Sequence, residues 1–214
     1  GLVGSEMCMR DSVEVLTYPF VSAEQNSFFN APKTETVKLA NPLQGEAGEM
    51  RAGLLPGLID AAKRNLSRGL TDLSIFEVGS VFLPKAKVGA NPELPVGNSR
   101  PSEATLEALG ETVPPQPQHI AGVFTGNRIS QQVGVKSVEA NYSDAIHAAK
   151  IIAKAVGLEI SVQQAAPIGF HTGRSAEISV QRHGKKVVVG YAGELDPRLA
   201  SCLLYTSPSP RDRG

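Results

Sequence analysis

The sequence predicts an α+β domain built around a largely antiparallel sheet flanked by helices. Residues 73–83 form two largely apolar faces that alternate along the chain, which is typical of a central strand. Residues 142–156 have the three- and four-residue apolar spacing of an amphipathic helix. Two β-rich segments flank His183–Gly184, as expected for a hairpin. Strands with hairpins and interspersed helices favour this fold class over an all-α or all-β protein.

The amino-terminal part predicts a strand, a short helix and a second strand. Residues 13–21 are rich in β-branched and aromatic side chains, and Ser22 is a good cap for a helix that continues to residue 29. Residues 35–39 predict a short strand, which ends before Pro42 because proline lacks an N–H for the sheet.

An amphipathic helix is predicted over residues 55–68. Apolar side chains recur every three or four positions at Met50, Leu54, Leu55, Leu58, Ile59 and Ala62. Pro56 is compatible with this helix because proline is tolerated in the first turn. Gly69 marks its end.

The carboxy-terminal half predicts further strands at residues 119–125, 158–163, 176–180 and 186–194. Residues 84–117 are rich in proline and predict a surface insertion, poorly ordered in part, with a brief helix near residues 102–109.

We expect residues 1–200 to belong to one domain. We also expect that Gly1 lies inside this domain rather than at its start. Residues 201–214 end in a Ser/Pro/Arg string, and we expect them to be a disordered or non-native tail.

Composition narrows the possible classes of protein. The 21 basic and 21 acidic side chains cancel, so no global positive field indicates a nucleic-acid partner. Cys8 and Cys202 lack metal-ligand spacing and are expected to be free thiols in a reducing compartment. Without an apolar run long enough to span a bilayer, the sequence predicts a cytoplasmic protein with no membrane partner.

Several motifs together resemble the β subunit of bacterial phenylalanyl-tRNA synthetase. Residues 41–69 are the most specific, with NPL, then MR, then LLPGL. Residues 73–82 (LSIFEVGSVF) follow at the family's usual interval. Residues 170–178 (FHTGRSAEI), 189–197 (VGYAGELDP) and 14–22 (EVLTYPFVS) are also similar to that family. Thr172 and Asp196 depart from it, standing where proline and histidine are usual, and the insertion is long.

The resemblance implies a class II aminoacyl-tRNA synthetase-like sheet that has lost its catalytic side chains. It implies a phenylalanine-tRNA ligase of α2β2 composition, which uses ATP and Mg²⁺ in the α subunit to join phenylalanine to tRNA(Phe). In this family the segment is a scaffold and subunit interface, and no DNA partner is implied. The alternative is a free-standing synthetase-like module that binds RNA or protein by itself.

The sequence argues against catalysis by this segment. Class II synthetases place an arginine in the motif 2 strand to neutralise charge during adenylate formation. Ser80 occupies that position, and residues 73–83 contain no arginine. A later glycine-rich strand with an ATP-clamping arginine is also missing. We therefore assign no catalytic, cofactor-binding or metal-binding residue and expect no bound cofactor in this segment.

Other patterns have mainly structural interpretations. His171, Ser175 and Asp196 are the residue types of a hydrolase triad, but no GxSxG motif surrounds the serine. The glycines at 184, 190 and 193 do not form a GxGxxG phosphate loop.

Charged residues on or near the helix at 55–68 have two interpretations. Arg51, Lys63, Arg64 and Arg68 fit a solvated helix face better than an RNA or subunit contact. For Arg174 we expect a structural ion pair with Glu77 or Glu194 in preference to ligand binding.

Overall fold

The computed structural model describes residues 12–42, 45–85, 93–94, 96–97 and 99–204, with side chains described only as far as residue 200. The expectations for the chain start, for Cys8 and the Cys202 side chain, and for residues 205–214 lie outside the described residues.

Five helices are described. They are α1 (Ala23–Ser27), α2 (Leu55–Leu66), α3 (Glu103–Thr112), α4 (Tyr142–Ala155) and α5 (Pro197–Leu204).

Ten strands are described. They are β1 (Val13–Glu14), β2 (Phe20–Val21), β3 (Glu49–Met50), β4 (Leu73–Ser80), β5 (Gln118–Thr125), β6 (Asn127–Ile129), β7 (Val138–Glu139), β8 (Ser161–Gln164), β9 (Phe170–Arg182) and β10 (Lys185–Leu195).

The strands form two three-stranded sheets and two small two-stranded ones. The first sheet has the order β1-β4-β5 and the second has the order β10-β9-β8. The small sheets pair β2 with β3 and β6 with β7. Among the described strand pairs only β1 with β4 is parallel, so the predicted antiparallel character is confirmed.

The core lies between α2 and the first sheet. Its buried residues are Leu54, Leu58, Ala61, Ala62, Ile75 and Val81. Strand β4 is central, as its two apolar faces predicted, because β1 and β5 pair with its two edges. The apolar stripe of α2 faces this strand and β5, with Pro56 in the first turn as expected.

Local sequence explains the other helices. Ser22 caps α1, and its hydroxyl accepts a hydrogen bond from the Gln25 N–H at 3.1 Å. Asn141 and Asp144 form the same reciprocal capping box at the start of α4. Gly157 follows α4 with φ +72, a conformation that glycine adopts without steric cost.

The predicted hairpin is present and longer than expected. Strands β9 and β10 meet at His183–Gly184, whose φ values of +50 and +73 fit a tight two-residue turn. Strand β8 begins at Ser161 rather than at residue 158 and pairs with the middle of β9.

Two strand predictions are wrong in extent. Residues 13–21 form β1 and β2 rather than one strand, because Thr17 between them donates its N–H and hydroxyl to the Glu77 carboxylate instead of to a sheet. Residues 35–39 provide only an isolated bridge between Lys38 and Glu49.

The segment predicted as an insertion contains α3, capped by Ser102 and longer than the predicted brief helix. Residues 86–92, 95 and 98 of that segment lie outside the described part. Helix α5 includes the first four residues of the segment 201–214.

The core position of Leu58 gives a stability prediction. This side chain is fully buried, so Leu58→Ala is expected to lower the free energy of unfolding by about 2–5 kcal/mol through lost burial and a cavity. Leu70 is 54% exposed, so Leu70→Ala is expected to change it by less than about 0.5 kcal/mol. Urea unfolding followed by circular dichroism measures both, and equal midpoints for the two variants would contradict this core assignment.

Candidate functional site

A cavity of about 330 Å³ lies where the two three-stranded sheets approach each other. Residues of β5 and β10 border it, and α2, α4 with the two residues before it, and α5 contribute the rest of the lining. Within the described part of the chain, β5 pairs only with β4, and β10 only with β9. The cavity is therefore bordered by the unpaired edges of two strands.

The lining of this cavity is mostly apolar, with contributions from Leu55, Ile59 and Phe124. Its charged groups are the half-buried Lys63 and Glu194, and the Glu194 carboxylate is already 2.8 Å from Nε of Arg174. No arginine is among the described lining residues. The lysine ammonium is a point charge and does not offer the bidentate donor pair that a guanidinium gives to phosphate.

An ion pair between Arg51 and Glu77 is buried beside the central strand. Nη1 of Arg51 lies 2.7 Å from Oε1 of Glu77, with side-chain exposures of 8% and 2%. Nε of Arg51 donates to the Ser80 carbonyl at 2.9 Å, and Nη1 also donates to the Thr17 hydroxyl at 3.0 Å. That hydroxyl in turn donates to Oε2 of Glu77 at 2.7 Å. Each charged group is thus paired and hydrogen-bonded, as buried charges require.

The solvated interpretation of Arg51 is therefore wrong. The residue precedes α2 and its side chain turns inward, because Glu77 on the central strand needs a cation there. Gly79 makes room for it, since a Cβ at that position would collide with Nη2 of Arg51. The sequence led us to expect no arginine at Ser80, the motif 2 position. The guanidinium of Arg51 nevertheless lies beside that residue. It comes from another segment and is buried away from the cavity.

A family model described as "Phenylalanyl tRNA synthetase beta chain CLM domain" matches residues 2–203. The chain belongs to this family. The predicted resemblance is confirmed, and the cavity and the Arg51–Glu77 pair lie within the matched residues of this chain.

Curated relatives agree with this assignment. The phenylalanine–tRNA ligase β subunit of Leifsonia xyli is 44% identical over 204 residues, which is 94% of this chain and 24% of the relative. The corresponding subunit of Thermobifida fusca is 39% identical, over 97% of this chain and 25% of the relative. The chain spans about a quarter of the length of these curated relatives.

The fold resembles that of a solved synthetase. Pyrrolysyl-tRNA synthetase from Desulfitobacterium hafniense aligns with a TM-score of 0.51 at 11% identity, covering 92% of this chain and 60% of that chain. The synthetase-like fold class expected from the sequence is confirmed by this likeness.

The three residues of the hypothetical hydrolase triad do not form one in this CLM domain. The Ser175 hydroxyl is buried and lies 2.7 Å and 2.6 Å from the carbonyl oxygens of Ala165 and His171, and its single proton is shared between these two acceptors. Nδ1 of His171 accepts from the Gly173 N–H at 3.0 Å. Hydrogen bonds from the side chain and backbone of Arg198 lower the pKa of the Asp196 carboxyl. All three side chains have structural partners.

The remaining charged residues singled out in the sequence lie in different environments. Arg174 pairs with Glu194, one of its two expected partners. Arg64 and Arg68 are exposed, as a solvated helix face predicts, whereas Lys63 is half-buried at the cavity.

Metal-binding and membrane-spanning features are both missing from the described part of the chain. No group of three or more histidine, cysteine, aspartate or glutamate side chains there is arranged to hold a metal ion. None of the described helices has the length and apolar character needed to cross a bilayer.

The buried ion pair gives the second prediction. Arg51→Met leaves the Glu77 charge buried without a counter-ion and is expected to lower the free energy of unfolding by about 3–5 kcal/mol. The double variant Arg51→Met/Glu77→Gln removes both charges and keeps an acceptor for Thr17, so it should be more stable than Arg51→Met alone. Arg64→Met is the exposed control. Chemical denaturation of the unchanged chain, these three variants and Glu77→Gln tests this, and losses that add between Arg51→Met and Glu77→Gln would show that the pair is not coupled.

Proposed function

We propose that this CLM domain is a non-catalytic scaffold within the β subunit of a phenylalanine–tRNA ligase. The whole enzyme would be an α2β2 assembly in the cytoplasm that attaches phenylalanine to tRNA(Phe) with ATP and Mg²⁺, with chemistry in the α subunit. No DNA or membrane partner is proposed. Family membership supports the assignment to a phenylalanine–tRNA ligase. The arrangement of side chains in this domain supports its role as a non-catalytic scaffold.

The observation that carries the scaffold proposal is the position of Arg51. Adenylate formation needs a guanidinium that is free to meet the α-phosphate of ATP. Here the guanidinium beside the central strand is bound to Glu77, Thr17 and Ser80 in the interior. The cavity has no described arginine in its lining, and its glutamate is engaged by Arg174. These donors do not fit ATP or its magnesium ion.

An exposed apolar row supports a subunit interface. Leu16 and Tyr18 are 86% and 84% exposed, and Phe20 continues the same alternation at 43%. Large apolar side chains grouped on a surface are typical of protein contacts. We propose that this row, residues 16, 18 and 20, contacts the α subunit.

Co-expression with the α subunit of the Leifsonia xyli enzyme tests the proposal. The chain is expected to co-elute with the α subunit in size-exclusion chromatography and to show no ATP–pyrophosphate exchange alone. Leu16→Asp/Tyr18→Asp should weaken association at least tenfold, because charges would be buried at the contact. Val133→Asp is the control, since Val133 is fully exposed in a loop.

Each outcome has a distinct meaning. Failure of the folded chain to co-elute would favour the free-standing module, and exchange activity by the chain alone would overturn the non-catalytic assignment. Equal binding by the Leu16→Asp/Tyr18→Asp variant would place the interface elsewhere.

A further inference from the structure

The distal part of the β9–β10 hairpin projects from the body of the domain. Residues 181–189 are exposed at every position, and β8 pairs with β9 only between residues 176 and 179. The turn at His183–Gly184 is tight, so the tip is a defined structure rather than a long loop.

Two basic side chains at this tip face each other, and no ion pair among the described residues neutralises either of them. Arg182 and Lys185 are direct cross-strand partners in the hairpin register. Like charges placed directly opposite each other destabilise a strand pair. Within the described part of the chain, neither side chain forms an ion pair, whereas the adjacent Lys186 lies 2.9 Å from Glu177. Folding alone does not explain why two positive charges face each other here.

Helix α4 adds two lysines at the same end of the molecule. Tyr142 at its start borders the cavity together with Gly193 of β10, and the helix packs chiefly against that strand. Fourteen helical residues rise roughly 21 Å, about the length of six strand residues. The chain that leaves α4 enters β8 at Ser161, which pairs with Ser179 and so stands level with Val188, and this places the last turn of α4 towards the distal half of the hairpin.

Lys150 and Lys154 are both exposed and one helical turn apart, where like charges repel. A favourable interaction with the helix dipole explains Lys154 in the last turn, but it does not explain Lys150 or the hairpin tip. We name Lys150, Lys154, Arg182 and Lys185 the basic patch.

The acidic residues between the start of α4 and the end of β10 are too few to neutralise the basic patch. Residues 142–194 contain six lysines and arginines and four acidic residues. Asp144 pairs with Arg128 at 3.2 Å, Glu177 with Lys186 and Glu194 with Arg174, which leaves Glu159 as the fourth. A chain with no net charge thus carries a local positive surface at one end.

We propose that the basic patch contacts the sugar-phosphate backbone of tRNA directly. The inference rests on the proposed function, which supplies the RNA partner. Lysine and arginine side chains that project from a surface suit phosphate contacts, which position an RNA without reading its sequence. Residues 181–189 contain no phenylalanine, tyrosine or tryptophan, and the exposed His183 imidazole is the one ring at the tip on which a base could stack, so recognition here is mainly electrostatic.

Fluorescence anisotropy with labelled tRNA(Phe) tests the basic patch at low salt. The variants are Lys150→Gln/Lys154→Gln, Arg182→Gln/Lys185→Gln and the quadruple combination. The quadruple variant should bind at least tenfold more weakly. Its logarithmic salt dependence should be shallower by about three, because each phosphate that is no longer neutralised reduces the slope by roughly 0.7–0.9. Each double variant should show part of this effect, and another tRNA should give the same result.

The matched control is Arg64→Gln/Arg68→Gln, which removes two exposed positive charges from α2 and the turn after it. It should bind tRNA within twofold of the unchanged chain. Equal weakening in the control and in the Arg182→Gln/Lys185→Gln variant would overturn the proposal, as would no tRNA binding by the folded chain. Competition by polyglutamate as effective as that by RNA would indicate an acidic protein partner and would also overturn it.

A second measurement separates this inference from the proposed function. The quadruple variant should still co-elute with the α subunit, because the basic patch lies on α4 and the second sheet, whereas residues 16, 18 and 20 follow β1 at the far edge of the first sheet. In the assembled ligase the same substitutions should raise the KM for tRNA several-fold and leave kcat unchanged. An unchanged KM would overturn the tRNA contact, whereas failure of the unchanged chain to co-elute would count against the scaffold.

Discussion

The buried ion pair between Arg51 and Glu77 holds together three segments that are far apart in sequence. It joins the approach to α2, the central strand β4 and, through Thr17, the connection between β1 and β2. Removing two charges from water is costly, and this geometry offsets the cost with short contacts and further hydrogen bonds. The position of α2 on the first sheet therefore depends on both apolar packing and this pair.

This use of the arginine also constrains function. In a synthetase fold, a guanidinium beside the central strand is the group best suited to meet a phosphate. A carboxylate at Glu77, on the same strand, binds it from inside and removes it from solvent. The arrangement gives the interior a fixed geometry in place of a catalytic group, which agrees with a scaffold role inside a larger enzyme.

Much of the fold was predictable because local rules decide it. The stripe of α2, the two apolar faces of β4, the cap of α4 and the turn at His183–Gly184 each depend on a few neighbouring residues. The break in residues 13–21 was not predictable, because Thr17 turns to Glu77, a residue 60 positions away.

The site depended even more on distant contacts. The burial of Arg51 had one local signal, a glutamate on an otherwise apolar strand that requires a cation, but nothing nearby identified the partner. The cavity depends on how two sheets approach each other, which no single segment encodes.

The parallel pairing of β1 with β4 has a consequence for the order of folding. Strands β9 and β10 close across two turn residues, whereas Ser12 and Ser74, beside the parallel pair, are 62 residues apart. The entropy of loop closure opposes the second contact more strongly, and contacts of long sequence separation slow folding. We expect the hairpin sheet to form early and β1 to join last, which makes the amino-terminal strand the part most easily displaced from the native sheet.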